Sequence, residues 1–188
     1  MFRIAQERDV ERIVEIYRHI HDSEETGQAV VGWDRDVYPT RKTAEEAVAR
    51  GEMFVGEDGG TVVAAARINQ RQEESYARGS WLYDVPAREV MVLHTLAVDP
   101  VFKGRQYGAG FVKFYEQYAA SHGCSCLRID TNEKNAAARA FYKRLGFREA
   151  GVVSCVFNGL PDVRLVLLEK KLFSLSKNLA EFAPAGHF

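Results

Sequence analysis

The sequence predicts a single α/β domain: a mixed central β-sheet of about seven strands flanked by helices. Three observations carry that expectation. Apolar residues recur at helical spacing in some segments and at strand spacing in others, and the period switches more than once along the chain. The stretch Val90–Val98 is an almost unbroken apolar run, as a central strand covered on both faces requires. A length of 188 residues suits one substantial core and is short for two.

Residues 3–5 form a short first strand. Asp9 stands as N-cap before a helix whose Val10, Ile13, Val14 and Tyr17 share one face. The stretch 21–38 is less regular and carries Trp33 and Tyr38. A second helix follows, with Thr43 and Glu46 spaced as a capping box and Gly51 as its stop. Residues 53–57 and 61–69 then alternate as a hairpin about Asp58, Gly59 and Gly60. Residues 70–88 are a polar and aromatic excursion with Trp81 and Tyr83, leading into the central strand.

The glycines of 104–110 open a helix striped by Phe111, Phe114, Tyr115 and Tyr118, which His122 and Gly123 end. Residues 124–131 are a strand, and 135–145 a helix closed by Gly146. Two late strands, near 151–157 and 163–168, flank a turn at Asn158-Gly159. An amphipathic helix runs from Leu172 to about Phe182. Residues 1–171 are thus expected to be the domain, and 172–188 a C-terminal helix and tail.

Lys and Arg number 25 against 26 Asp and Glu, a net charge of −1, so no global field favours nucleic acid or an anionic membrane. No apolar run approaches the roughly 20 residues that span a bilayer. Charges in MFRIAQERDVERIV interrupt what a signal peptide keeps apolar, so the expected location is cytoplasmic. Cys124, Cys126 and Cys155 are odd in number and form no CxxC pair, which points to buried free thiols rather than disulfides, and no metal is expected.

The run GRQYGAGF, 104–111, is the most telling local feature. It follows a buried strand and starts a helix, where open backbone N–H groups and the helix dipole favour an anion. Gly108 and Gly110 would let phosphate oxygens approach the main chain, and Lys103 and Arg105 add local positive charge. The GKS or GKT of a Walker loop is absent, and no acidic residue is placed for a Rossmann site. Glycines packed closely in a tight turn would produce the same run.

The wider segment HTLAVDPVFKGRQYGAG, 94–110, resembles motif A of the GCN5-related N-acetyltransferases, with Arg105-x-x-Gly108-x-Gly110 at its end. Further along, NAAARAFYKRLGF, 135–147, resembles motif B of the same family through Asn135, Ala138, Tyr142, Leu145, Gly146 and Phe147. The resemblance implies the GNAT fold, acetyl-CoA as co-substrate and transfer of an acetyl group directly to a primary amine. The loop, Lys103, Gly104, Arg105, Gln106, Tyr107, Gly108, Ala109 and Gly110, would then hold the pyrophosphate. Main-chain groups of Leu96, Ala97 and Val98 would pair with the pantetheine like an added strand, with Asn135 and Ala138 nearby. Lys143 and Arg144 are either phosphate contacts or a solvated helix face.

An alkyl ammonium has a pKa of about 10, so the reaction needs a base for the amine and an acid for the leaving thiolate. His94 is the first choice of base, on the strand parity of Leu96 and Val98, with Glu89 as alternative through water. Tyr142 is the acid that the resemblance implies, although its spacing with Ala138, Phe141 and Leu145 would equally suit a core residue. Trp33, Tyr38, Trp81 and Tyr83, beside Glu24, Glu25, Glu73, Glu74 and Asp84, are the candidate walls for a cationic acceptor. The expected partner is a small-molecule or amino-acid-like amine, with a homodimer compatible. A peptide acceptor and a non-catalytic acyl-CoA sensor are the alternatives.

Overall fold

A computed structural model describes residues 1–172. The expected helix from Leu172 to Phe182 therefore lies outside the described residues, Leu172 excepted. The chain runs β1 (Phe2–Ile4), α1 (Val10–Glu25), α2 (Arg41–Ala49), β2 (Met53–Asp58), β3 (Thr61–Asn69), β4 (Val90–Val98), α3 (Tyr107–Ser121), β5 (Cys126–Asn132), α4 (Ala136–Arg144), β6 (Arg148–Phe157) and β7 (Leu160–Lys171). The strands form one sheet in the order β1-β2-β3-β4-β5-β7-β6. Among the described residues, only β4 and β5 pair in parallel; every other neighbouring pair is antiparallel.

Alternation along the central strands sends side chains to two layers. Ala64, Ala66, Ile68, Met91 and Leu93 face α3 and α4, where Phe111, Tyr115 and Tyr142 complete one core cluster. Ala65 and Ala97 face α1 and α2, among Ile13, Ile16 and Tyr17. Fully burying one such large apolar side chain is worth about 1.5–3 kcal/mol, so the stripes on α1 and α3 hold these helices to the sheet. A third cluster gathers Tyr76, Val90, Val92, Cys126 and Leu167 beneath the 70–88 excursion.

Local details differ from the sequence reading where a side chain found a stronger partner. Asp9 does not cap α1; its carboxylate takes the Arg3 guanidinium at 2.7 and 2.9 Å and the Gln6 N–H at 2.7 Å. The cap of α2 is Thr40, whose N–H donates to Thr43 Oγ1 at 3.0 Å, one turn before the expected Thr43–Glu46 pair. Helix α1 continues through His21 to Glu25, into the stretch read as irregular. The last hairpin is longer than the apolar runs implied, because Arg148 and Glu169 extend the pairing and neutralise each other's charge.

Candidate active site

The site begins where the parallel pair β4–β5 comes apart. β4 and β5 are in register from Val90 opposite Cys126 to Leu93 opposite Ile129, and no further. Each strand continues, held from its outer side: β4 by β3 as far as Val98, β5 by β7 as far as Asn132. The Tyr115 hydroxyl sits just below the parting, donating to the carbonyls of Met91 at 2.6 Å and Arg128 at 3.1 Å.

A β-bulge opens the gap. Ala65 opposes Ala97 and Arg67 opposes His94, so β4 carries an extra residue there, and Thr95 takes a left-handed φ of 55°. That conformation is strained for a β-branched side chain. The Tyr38 hydroxyl, hydrogen-bonded to Thr95 Oγ1, helps to hold it. The bulge also inverts the alternation. Leu96 and Val98 join the α3 face, while His94 lies with Arg67 on the other, so the expected shared parity of His94, Leu96 and Val98 does not hold.

The gap is a cavity of about 90 Å³ that passes between the two faces of the sheet. On the α4 side its walls include Tyr142, Asn135, Ala138 and Leu96; on the other they include Trp33, Tyr38, His94, Phe157 and Asp130. A second hollow of about 370 Å³ adjoins it through Gly32, Trp33, Asn132, Leu160 and Val163. The inner cavity has the volume of about three waters at 30 Å³ each, enough for a slim amine end, and the outer one suits the body of a small molecule.

Burial raises the Tyr142 hydroxyl far above its ordinary pKa, so it stays a neutral proton donor. Burial also raises Asp130, to about 6, opposed by the Tyr76 hydroxyl that donates to its Oδ2 at 2.8 Å. His94 moves the other way. It is 5% exposed, its Nε2 lies 3.0 Å from Asn69 Oδ1, and burial together with the Arg67 guanidinium lowers it to about 3. Such an imidazole is a poor base for an ammonium, which weighs against the first choice made from sequence although His94 lines the cavity.

Other assignments change for positional reasons. Glu89 precedes the N-terminal end of β4, at the opposite end from the parting, and accepts from Ser125 Oγ at 2.8 Å. Trp81 and Tyr83 belong to the third core cluster; Trp81 donates to the Tyr76 carbonyl at 2.7 Å and stacks under Arg128 at 3.9 Å. Glu24 is committed to backbone N–H groups of Val31 and Gly32, at 2.9 Å each, which orders the loop that carries Trp33. Of the four aromatic acceptor candidates, Trp33 and Tyr38 reach the cavity.

The glycine loop keeps its amides open. Gly104 and Gln106 have φ of 86° and 62°, and α3 starts at Tyr107 with no side-chain cap. Gly110 N–H is bonded to the Gln106 carbonyl at 3.0 Å and Arg105 N–H to the Phe102 carbonyl at 3.4 Å, leaving the amides of 106–109 for a ligand. Lys103 and Arg105 are exposed beside them, and Tyr107 donates to Asp58 at 2.5 Å. The glycines themselves serve packing: a Cβ on Gly108 would lie 3.3 Å from Phe141, and one on Gly110 3.2 Å from Phe2. Asn135 caps α4 through Oδ1, which accepts from Ala138 N–H at 2.9 Å. Lys143 and Arg144 are exposed. Open loop amides, followed along β4 by main-chain groups of 96–98 with no β5 partner, fit a pyrophosphate joined to an amide-bearing arm.

Sequence reasoning missed Asp130. The available signal was an acid near the C-terminal end of an apolar strand beside the central one, the end at which α/β sheets bind ligands.

The sequence model of the acetyltransferase (GNAT) family matches residues 11–147. An uncharacterised N-acetyltransferase of Methanocaldococcus jannaschii is 36% identical over 74 residues, a match covering 39% of this chain and 33% of that relative. Among solved structures, a GNAT-family acetyltransferase of Streptococcus agalactiae superposes with a TM-score of 0.71 at 23% identity, over 93% of this chain and 96% of that one. A protein of Salmonella typhimurium solved with its cofactor acetyl-CoA gives 0.62 at 20%, over 93% and 94%. The ribosomal-protein-S18-alanine N-acetyltransferase of Escherichia coli gives 0.65 at 17%, over 95% and 97%.

Proposed function

The chain belongs to the acetyltransferase (GNAT) family, and on that premise we propose that it acetylates the primary amine of a small-molecule or amino-acid-like acceptor, with Asp130 as base and Tyr142 as acid. The observation that carries the reading is that Asp130 and Tyr142 both line the cavity formed where β4 and β5 part. Bound acetyl-CoA supplies an acyl group activated as a thioester.

The loop amides of 106–109 hold the pyrophosphate, aided by the Lys103 and Arg105 side chains, and the free edge of 96–98 orients the pantetheine. An N–H of that edge meets the thioester oxygen as negative charge develops there. The acceptor enters by the outer hollow, passes Trp33 and Tyr38, and brings its ammonium to Asp130. With a pKa of about 6, Asp130 is ionised at neutral pH yet basic enough to take the proton as nitrogen attacks. Tyr142, kept protonated by burial, gives its proton to the departing sulfur.

Thiol release from acetyl-CoA across a panel of amines tests this. Parent protein should turn over at least one amine, and Tyr142→Phe should lower kcat by about 100-fold with acetyl-CoA affinity kept. Tight acetyl-CoA binding without turnover of any amine would favour a sensor instead.

A further inference from the structure

The 70–88 excursion was expected to select the acceptor, yet its aromatic residues turn away from the cavity and brace one another. Trp81 holds the Tyr76 carbonyl at 2.7 Å and packs its ring 5.5 Å from the Tyr76 ring. Arg128 lies over Trp81 and is hydrogen-bonded to Gln72 Oε1. From this braced unit a single hydroxyl reaches the cavity wall: Tyr76, 2% exposed, donates to Asp130 Oδ2 at 2.8 Å.

We propose that Tyr76 is the positioning residue of the acceptor site, fixing the Asp130 carboxylate through Oδ2 so that Oδ1 faces the amine, and setting how firmly that carboxylate holds a proton. The inference rests on the reading of Asp130 as the base. A buried Tyr hydroxyl that cannot ionise is a donor under all working conditions. Donation to the charged carboxylate favours its ionised form. It opposes the burial and the Glu73 carboxylate that disfavour that form, and Arg67 on β3 acts in the same sense as Tyr76. The other titratable groups beside Asp130 are Tyr142 on α4, Tyr38 on the loop before α2 and Cys155 on β6, which burial raises, and His94 on β4, which burial lowers, so all four are neutral. Tyr76 is thus the one hydrogen-bonding handle on this carboxylate among the described residues.

The test is the pH profile of kcat/KM in Tyr76→Phe, Asp130→Asn and Trp81→Phe, with melting temperatures for each. In Tyr76→Phe the acid limb should move up by about one pH unit and kcat should fall about tenfold, with the acetyl-CoA KM unchanged. Trp81→Phe loosens the brace but keeps the hydroxyl, so it should lower the melting temperature and leave the limb in place. If Tyr76→Phe only melts earlier, with the limb unmoved, Tyr76 is structural and the proposal is wrong. If Asp130→Asn retains the parent limb, the base assignment itself fails, an outcome separate from the first. Should Tyr76→Phe not fold, 3-fluorotyrosine at position 76 keeps the hydroxyl and makes it a stronger donor. The limb must then move to lower pH, and an unmoved limb overturns the proposal.

Discussion

Replacing Asp130 with Asn should stabilise the protein at neutral pH while removing its activity. The Asp130 carboxyl is raised from 3.8 to about 6, because the cavity wall strips its hydration. A shift of about two units corresponds to a ceiling of about 3 kcal/mol, at 1.36 kcal/mol per unit. Asn carries its own unmet hydrogen-bonding groups and the site is part-open, so about 1–2 kcal/mol should survive. At 2–4 °C per kcal/mol for a chain of this size, Tm should rise by roughly 2–8 °C at pH 7.5. The sign follows from proton binding. Below pH 3.8 folded and unfolded chains are both protonated and the penalty is absent. Between 3.8 and about 6 the folded state holds more protons, so stability falls as pH rises, and above 6 the full penalty applies. Urea denaturation of both proteins at pH 7.5 and pH 4 should therefore show a gain for Asp130→Asn at the higher pH that vanishes at the lower. A variant less stable than its parent at pH 7.5 by as much as at pH 4 would refute the desolvation argument.

Three further substitutions separate the residues that reach the chemistry from those that only seemed placed for it. His94→Gln should cost less than about tenfold in kcat/KM and leave the acid limb of the pH profile where it was, because an imidazole lowered to about 3 does not titrate in the working range. Glu89→Gln, at the far end of β4, should stay within about twofold of the parent in the same assay. Gly32→Ala places a Cβ 2.3 Å from Asn132 Nδ2 at a φ of 83°, which should cost about 1–2 kcal/mol. Calorimetry should show the lower Tm, and acceptor KM should rise more than acetyl-CoA KM, since Gly32, Trp33 and Asn132 share both hollows.

Local spacing carried the elements well, and the reason is visible in single cases. The helix of 107–121 was legible because Phe111 and Tyr115 must share a face to be buried together. The central strand was legible because a strand buried on both faces has no polar positions to spare. Capping failed at Asp9 because its partner Arg3 lies outside the window that spacing rules inspect, and at Thr43 because the box that forms, Thr40 with Thr43, has no Glu or Gln at its third position. Of the expected acceptor walls, Trp33 and Tyr38 reach the cavity, whereas Trp81 is drawn under Arg128 of β5 by a partner far along the chain.

By itself the sequence determined the α/β class, the order of its elements, the glycine loop before α3 and the helix bearing Tyr142, because each depends on residues close together in the chain. Only the tertiary structure brought Asp130 to the cavity wall. Burial raises the proton affinity of Asp130 and Tyr76, 54 residues away, opposes that rise, while burial and Arg67 lower that of His94. Desolvation and long-range pairing set a group's chemistry, and neither is written at any fixed spacing along the chain.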